Sequence, residues 1–445
     1  MEWMSKLVVL VLACSPMESL SETDFCHSKG MNLHHLATKT PYRFVRHDDS
    51  STNYPDCEPV RAWMIVRHGT RYPGSKAIQK MVHSLPLLRN RILAANKAGK
   101  GSLCREEVSA LERWACGVEE ADEKRLAHEG EDEMLELAER FQQRFPRLFP
   151  GDYRNDTYKF KHTATQRAGE SARYFTVGLF GRRVSRHVWF PEALHRDPIL
   201  RFYKACPRWK REVDKNPDSV QERNKFARGP EMKQSLEEIR ARLGLDASLE
   251  FDDVHLLYVT CSFETAWDKR RPSPWCAAFS EKDLQVFEYF EDLEYYWIDG
   301  YGFNLTYRQA CPAIRDMMNY LQTGRTPGSQ HSPRAVVYFS HSGSLLKILA
   351  HLGLYRDGRP PRHDNYRLMG ERRWRVSHID AFGTNLAFVL LSCGGESRVL
   401  TLHQERPVAL PGCPASGGHC PLAALLHTYH ASVHACDFEG MCRDS

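Results

Sequence analysis

Apolar residues along the chain follow two patterns, short runs typical of buried strands and longer segments with helical spacing. The short runs occupy residues 60–66, 158–162, 335–340, 385–392 and 398–403. Helical spacing occupies residues 76–95, 129–145, 167–180 and 344–353. Because strand and helix patterns alternate, we predict an α/β fold with a mostly parallel sheet flanked by helices.

A different pattern fills the middle of the chain. From residue 202 to residue 325 long helical segments follow one another with scarcely a strand between them. We therefore predict a smaller, all-helical inserted domain at 202–325, between a first part of the α/β core at 19–201 and a second part at 326–445. A length of 445 residues, above the usual size of one domain, agrees with this division.

The N-terminus carries the pattern of a secretory signal. Lys6 precedes the apolar run 7–14, and small and polar residues follow it. We predict a signal peptide at 1–18 and a location in the secretory pathway, either secreted or in the endoplasmic reticulum lumen. The alternative is a buried N-terminal strand. The run is too short to cross a bilayer, so no stable membrane span is expected.

Cysteine usage also favours an oxidising compartment. Loss of Cys14 with the signal leaves thirteen cysteines, an odd number that requires one thiol to be free or paired between chains. No C-x-x-C pair occurs together with a second such pair or with a histidine pair at zinc spacing, so no metal is expected. Asn155 and Asn304 each begin a glycosylation triplet and are candidate glycosylation sites.

The overall charge excludes some partners. A formal net charge of +5 is small for this length, and no block of five basic residues is present. We therefore expect no nucleic-acid partner, and any anion-binding site must be local. The oligomeric state is left open.

Two histidines stand within two residues of predicted strand ends. His68 lies in "VRHGTRYP" between Arg67 and Arg71, and His341 lies in "YFSHSGS". A third strand end is followed by Arg167, at the start of a helix, where anions are favoured. Ligands of open α/β sheets bind at the carboxyl ends of strands. An imidazole is a competent nucleophile towards phosphorus, and guanidinium groups bind phosphoryl oxygens, so the pattern predicts a phosphate site.

The same residues resemble a known family. The heptapeptide at 67–73, "RHGTRYP", is similar to the signature of the histidine acid phosphatases. The segments "KFARGPEM", "CSFETAWDKRRPSPWC", "YYWIDGYGFNL" and "AFGTNLAFVLLSC" resemble the multiple inositol polyphosphate phosphatase branch, and the likeness spans roughly 38–442. The fold implied is that of the histidine phosphatases.

The resemblance implies a role for each of these residues. His68 would be transiently phosphorylated, Arg67, Arg71 and Arg167 would bind the phosphoryl oxygens, and His341 would add a hydrogen bond. The family uses no metal or organic cofactor. The partners implied are small phosphorylated substrates, the inositol polyphosphates including inositol hexakisphosphate, with 2,3-bisphosphoglycerate as a second substrate.

One departure concerns the proton donor. The branch places alanine and glutamate after its second histidine, and other acid phosphatases place aspartate there, whereas this chain has Ser342 and Gly343. General acid catalysis is worth about 10²–10⁴-fold, so its loss would slow turnover. Asp380, Glu371 and His378 are distant substitutes that the sequence alone does not connect to the site.

Three alternative functions are therefore considered for this sequence. The first is a phosphomonoesterase, and the second is a catalytically weakened protein that binds a phosphorylated ligand. The third is a mutase, which the helical insertion and the secretory start disfavour. Retention of His68 and of all three arginines favours the enzyme.

The resemblance also suggests a covalent framework. Cys57 precedes the first predicted strand and Cys393 ends the strand at 385–392, so a bridge between them would join the two parts of the α/β core. Cys413 and Cys420 would close a short loop in a disulfide-stapled C-terminal tail.

Overall fold

The computed structural model describes residues 26, 30–47, 54, 56–323, 333–413 and 418–444. The predicted signal peptide lies outside the described residues. One seven-stranded sheet forms the centre of the α/β fold. Its strands are β1 (Cys57–Arg67), β2 (Tyr158–His162), β3 (Ala335–Ser340), β4 (Asn385–Cys393), β5 (Glu396–His403), β6 (Arg406–Pro407) and β7 (His419–Pro421).

The sheet is mixed rather than mostly parallel. Its order is β2-β3-β1-β4-β5-β6, with β7 also paired to β5. The β2–β3 and β3–β1 pairs are parallel, and the other pairs are antiparallel. Gly394 and Gly395, at φ 57° and 88°, form the tight turn between β4 and β5. Two residues suffice only for an antiparallel connection, because a parallel one needs a crossover.

The parallel part of the sheet brings three strand ends together. Arg67 at the end of β1 is in register with Ser340 at the end of β3. His162 at the end of β2 is in register with Phe339 of β3. The residues that follow these strands therefore emerge side by side at one edge of the sheet.

Helices cover both faces of the sheet. The helices are α1 (Ser75–Lys97), α2 (Arg105–Arg113), α3 (His128–Arg144), α4 (Gln166–Ser185), α5 (Pro207–Trp209), α6 (Gln221–Phe226), α7 (Pro230–Leu243), α8 (Phe251–Trp267), α9 (Glu281–Asp299), α10 (Asn304–Arg308), α11 (Cys311–Thr323), α12 (Ser342–His351), α13 (Val376–Ile379), α14 (Leu422–Thr428), α15 (His430–His434) and α16 (Phe438–Cys442). Alternate β1 residues face opposite sides. Met64 packs with α3 and α4, and Trp63 packs with α11, α12 and α14.

Short segments of other helical types complete the chain. A π-helical turn spans Lys210–Asp214. The 3₁₀ segments are Ala37–Lys39, Tyr42–Phe44, Glu120–Asp122, Phe202–Ala205, Pro217–Val220, Pro274–Ala278 and Tyr366–Leu368.

Every described element from Phe202 to Thr323 is helical, but these helices do not all pack together. One apolar cluster joins α7, α8 and α9 to α1 and α2, which precede the predicted insertion. In contrast, α11 packs on the sheet. The helical layer is therefore assembled from two parts of the chain, and the domain boundaries at 202 and 325 stay a prediction.

Six disulfides cross-link the described residues. Two of them are the predicted Cys57–Cys393 and Cys413–Cys420 pairs. The others are Cys26–Cys104, Cys206–Cys442, Cys261–Cys276 and Cys311–Cys436. Cys116 is the free thiol of the described part of the chain. Bridges to Cys436 and Cys442 tie the C-terminal helices to the body of the protein.

None of the helices in the described ranges combines the length and the apolar character needed to cross a membrane.

Candidate active site

Backbone packing determines the shape of the loop that follows β1. A Cβ on Gly69 would lie 2.5 Å from the carbonyl oxygen of Gly130, at the start of α3. The buried Glu133 carboxylate accepts hydrogen bonds from the Thr70 amide at 2.6 Å and from the Tyr42 amide at 3.1 Å. The close contact of Gly69 with the start of helix α3 is therefore sufficient to require glycine at this position.

His68 is held as a neutral imidazole with a defined tautomer. Its Nδ1 lies 2.9 Å from the Gly69 carbonyl oxygen. Because a carbonyl only accepts, Nδ1 carries the proton and Nε2 keeps its lone pair. Burial lowers the pKa of His68 well below its ordinary value, and the positive charge of Arg167 and the proximity of His341 lower it further. Nε2 is thus free to act as a nucleophile.

His341 follows β3 and faces His68, with 5.5 Å between the ring centroids. Its Nε2 is 2.8 Å from Thr163 Oγ1, in the loop after β2. Its Nδ1 is 3.4 Å from an Arg167 nitrogen, the weaker of the two contacts. Burial, and then Arg167, lowers the pKa of His341 well below its ordinary value. A phosphoryl oxygen also accepts hydrogen bonds, so an incoming phosphate would compete with His341 Nδ1 for this Arg167 N–H group.

Four arginines surround the two histidines. Arg67 is buried and stacks on Phe382, with 4.7 Å from its guanidinium carbon to the ring centre. Burial and then neighbouring arginines lower the pKa of Arg71 to about 9 and that of Arg167 to about 10. Among the charged neighbours of Arg167, Arg201 lowers its pKa the most.

Among the described residues, Asp380 is the one carboxylate paired with these arginines, and it lies beside Arg67. Within the described ranges, neither Arg71 nor Arg167 forms an ion pair, and the buried Nε atoms of Arg67 and Arg167 have no hydrogen-bond partner. Concentrated positive charge of this kind favours a multiply charged anion.

Of the three carboxylate and histidine candidates for the missing donor, one lies in the site. Asp380 directly follows α13 and is fully buried. It accepts a hydrogen bond from Ser342, and its Oδ2 is 3.6 Å from Arg67 Nη1. Glu371 and His378 are exposed, and His378 lines a cavity that includes neither His68 nor His341.

Potential metal ligands cluster at one place in the described residues. Cys26, Cys104 and Glu107 lie close enough to share an ion. However, the two cysteines are bonded to each other, so neither offers a thiolate. This group is not part of the phosphate site.

Comparison with known proteins identifies the family. Residues 61–405 match the family described as the histidine phosphatase superfamily (branch 2). The chain belongs to this branch. Its members include the histidine acid phosphatases, and the chain is an enzyme of that type.

The relatives agree with this assignment over most of the chain. Multiple inositol polyphosphate phosphatase 1 of Drosophila melanogaster is 32% identical, and the alignment covers 98% of this chain and 94% of the relative. The Gallus gallus protein of the same name is 31% identical, with 92% and 89% covered. Proteins named for inositol polyphosphates are therefore similar to more than nine-tenths of the chain.

Solved structures confirm the fold. The D. castellii phytase superposes with a TM-score of 0.75 at 18% identity, covering 93% of this chain and 88% of that chain. The Bifidobacterium longum multiple inositol polyphosphate phosphatase, in complex with inositol hexasulfate, gives a TM-score of 0.68 at 16% identity, covering 90% and 98%.

The structure brings together all five residues singled out at the strand ends, namely Arg67, His68, Arg71, Arg167 and His341. Sequence reasoning missed Arg201 and Thr163, which also lie near the two histidines. The strand end before Thr163 was the only available signal for that residue.

Proposed function

We propose that the protein hydrolyses phosphomonoesters of inositol polyphosphates through a phosphohistidine on His68. The observation that carries the proposal is the neutral His68, whose Nε2 is left free by the bond from Nδ1 to Gly69. It lies among arginines of which only Arg67 has a carboxylate partner in the described residues, Asp380 at 3.6 Å. Such a site combines a nucleophile with charge compensation for the phosphoryl group.

The first chemical step follows from the tautomer. Nε2 attacks phosphorus, an N–P bond forms, and the P–O bond to the inositol oxygen breaks. Arg67, Arg71 and Arg167 hold the phosphoryl oxygens with charge-assisted hydrogen bonds. In the second step water attacks the phosphohistidine, which releases phosphate and restores the neutral imidazole.

The substrate class follows from the surplus of positive charge. Arg201 adds a fourth guanidinium beside the three that bind the transferred group. A ligand with several phosphates can use more of these charges than a monophosphate can. We propose inositol hexakisphosphate as a substrate, with 2,3-bisphosphoglycerate as a smaller alternative.

Phosphate release from inositol hexakisphosphate tests the proposal. We expect His68→Ala to abolish release, and rapid quenching with labelled substrate to trap a phosphohistidine on the wild type. His83→Ala, an exposed histidine of α1, is the matched control and should behave as the wild type does. Robust turnover by His68→Ala would refute the mechanism.

The same assay separates the enzyme from a phosphate-binding protein. The binding alternative was suggested by the serine and glycine after His341. It requires tight retention of inositol hexakisphosphate without release of phosphate. Stoichiometric binding to the wild type with no phosphate released over hours would favour that alternative.

We also propose that the protein enters the secretory pathway and carries glycans. Six disulfides and the exposed side chains of Asn155 and Asn304 support this. Expression of the full chain in a eukaryotic host should give a protein that lacks residues 1–18 and loses mass on glycosidase treatment. Recovery of the intact N-terminus would contradict the proposal.

A further inference from the structure

The P–O bond to an inositol oxygen needs a proton donor, because an alkoxide is a poor leaving group. Among the described residues, Asp380 is the carboxyl group paired with an arginine of the site, Arg67. Its side chain is fully buried, its Oδ1 has no hydrogen-bond partner among the described residues, and its Oδ2 accepts from Ser342. An acid with no access to solvent can act only through a neighbour.

Ser342 is that neighbour. It is the residue after His341 and the first residue of α12, and it is half-buried where Asp380 is fully enclosed. Its hydroxyl can donate and accept at once. When Asp380 is protonated, the carboxyl can donate to Ser342 Oγ, which frees the hydroxyl proton for the site.

We infer that Asp380 and Ser342 form a two-residue proton relay that protonates the leaving oxygen of the substrate. The inference rests on the proposed phosphatase function and adds two residues to it. Ser342 contacts the substrate oxygen, and Asp380 supplies the proton through Ser342.

The relay releases one proton in the first step and recovers one proton in the second. As Nε2 of His68 bonds to phosphorus, the leaving oxygen takes the proton of Ser342 Oγ, and Ser342 takes the proton of Asp380. The resulting Asp380 carboxylate lies 3.6 Å from Arg67 Nη1, which stabilises its charge. When water attacks the phosphohistidine, one of its protons returns through Ser342 to Asp380.

A second carboxyl group near this position is less suited to the task. A Cβ on Gly343 would lie 3.3 Å from Asp299 Oδ1, so Asp299 borders the place where the related enzymes carry glutamate. However, Asp299 accepts a hydrogen bond from the fully buried ammonium of Lys347. Asp299 Oδ1 is therefore already engaged as the partner of a buried ammonium.

The electrostatics of Asp380 agree with an acid that works at mildly acidic pH. Burial raises the pKa of Asp380 to about 6, and Asp299 on α9 raises it too, whereas Arg67 on β1 and Ser342 on α12 lower it. A donor must be protonated in the free enzyme, so kcat/KM for alkyl phosphates should fall as the pH rises through about 6.

The test compares leaving groups. Asp380→Asn, Ser342→Ala and Ser342→Thr are assayed on inositol hexakisphosphate and on 2,4-dinitrophenyl phosphate, whose phenolate leaves without a proton. Ser377→Ala, which removes a buried hydroxyl from α13 that bonds to Glu288, is the matched control. Glycerol 2-phosphate serves as a second alkyl substrate.

We expect Asp380→Asn and Ser342→Ala to lower kcat on the alkyl phosphates by about 10²–10³-fold and on the dinitrophenyl ester by less than about threefold. Ser342→Thr should keep most of the activity, because its hydroxyl remains. The fall of kcat/KM above pH 6 should also be absent in Asp380→Asn, whereas the titration of the substrate phosphates is common to all variants. Ser377→Ala should affect both substrate classes equally.

Equal losses of kcat on the alkyl phosphates and on the dinitrophenyl ester in Asp380→Asn and Ser342→Ala would overturn the relay. Asp380 and Ser342 would then have only a structural role. If Asp380→Asn does not fold, the comparison of Ser342→Ala with Ser342→Thr tests the relay by itself. A wild type that hydrolyses the dinitrophenyl ester and glycerol 2-phosphate but not inositol hexakisphosphate would refute the substrate class and not the relay. A wild type inactive on all three would refute the proposed function, and the relay with it.

Discussion

Replacement of Gly69 by alanine tests whether contact with α3 shapes the catalytic loop. The new Cβ would lie 2.5 Å from Gly130 O and 2.7 Å from Gly130 Cα. Ordinary contacts require about 3.5 Å, so the loop or the helix start must move by about 1 Å. Both neighbours are backbone atoms and cannot rotate away.

The magnitude follows from this overlap. Overpacking costs about 1–3 kcal/mol, and misplacement of catalytic groups by about 1 Å can cost about 10²-fold in rate. We therefore expect Gly69→Ala to lower the free energy of unfolding by about 2 kcal/mol. We also expect its kcat on 2,4-dinitrophenyl phosphate to be about 100-fold lower.

Gly117→Ala is the matched control, because a Cβ there meets no atom within 4 Å. Both variants restrict the unfolded chain to a similar degree, so the difference between them isolates the contact. The free energies are measured by urea unfolding with the disulfides intact, followed by tryptophan fluorescence. Agreement of the two variants within about 0.5 kcal/mol, with equal kcat, would refute the reasoning.

The remaining predictions concern the arginines, the disulfides and the pH dependence of stability. Arg71→Lys should lower kcat/KM at least tenfold, because an ammonium cannot make a planar two-point contact with a phosphoryl group. The control Arg186→Lys, at an exposed position, should leave kcat/KM unchanged. Near-normal rates in both variants would show that Arg71 does not bind the substrate. Burial and then the neighbouring Glu133 raise the pKa of Glu129 to about 7. The free energy of unfolding that its protonated form contributes should therefore be lost as the pH rises through about 7. Unfolding curves of Glu129→Gln, recorded at several pH values, should lack that loss. A Glu129→Gln curve that matches the wild type would contradict this. Peptide mapping without reduction should recover linked peptides for Cys57–Cys393 and Cys413–Cys420, with Cys116 alkylated; free thiols at the four paired positions would contradict the framework.

The sequence by itself determined the elements and the chemistry of this protein. Local apolar periodicity placed the strand 158–162 at the same residues as β2, and the strand 335–340 at the same residues as β3. The heptapeptide around His68 indicated the phosphatase family, because His68, Arg67 and Arg71 are close together in the chain. Such features depend on short stretches of residues.

Tertiary structure alone decided how these elements are paired and which distant residues meet. The pattern of a buried strand is the same whether its neighbour is parallel or antiparallel, so the mixed sheet could not be read from it. Asp380 is 38 positions from Ser342 along the chain, and it reaches the site only because the chain after α13 lies beside the start of α12. Arg201 and Thr163 likewise join the site through folding, since charge and hydrogen-bond complementarity act across space and leave no local pattern.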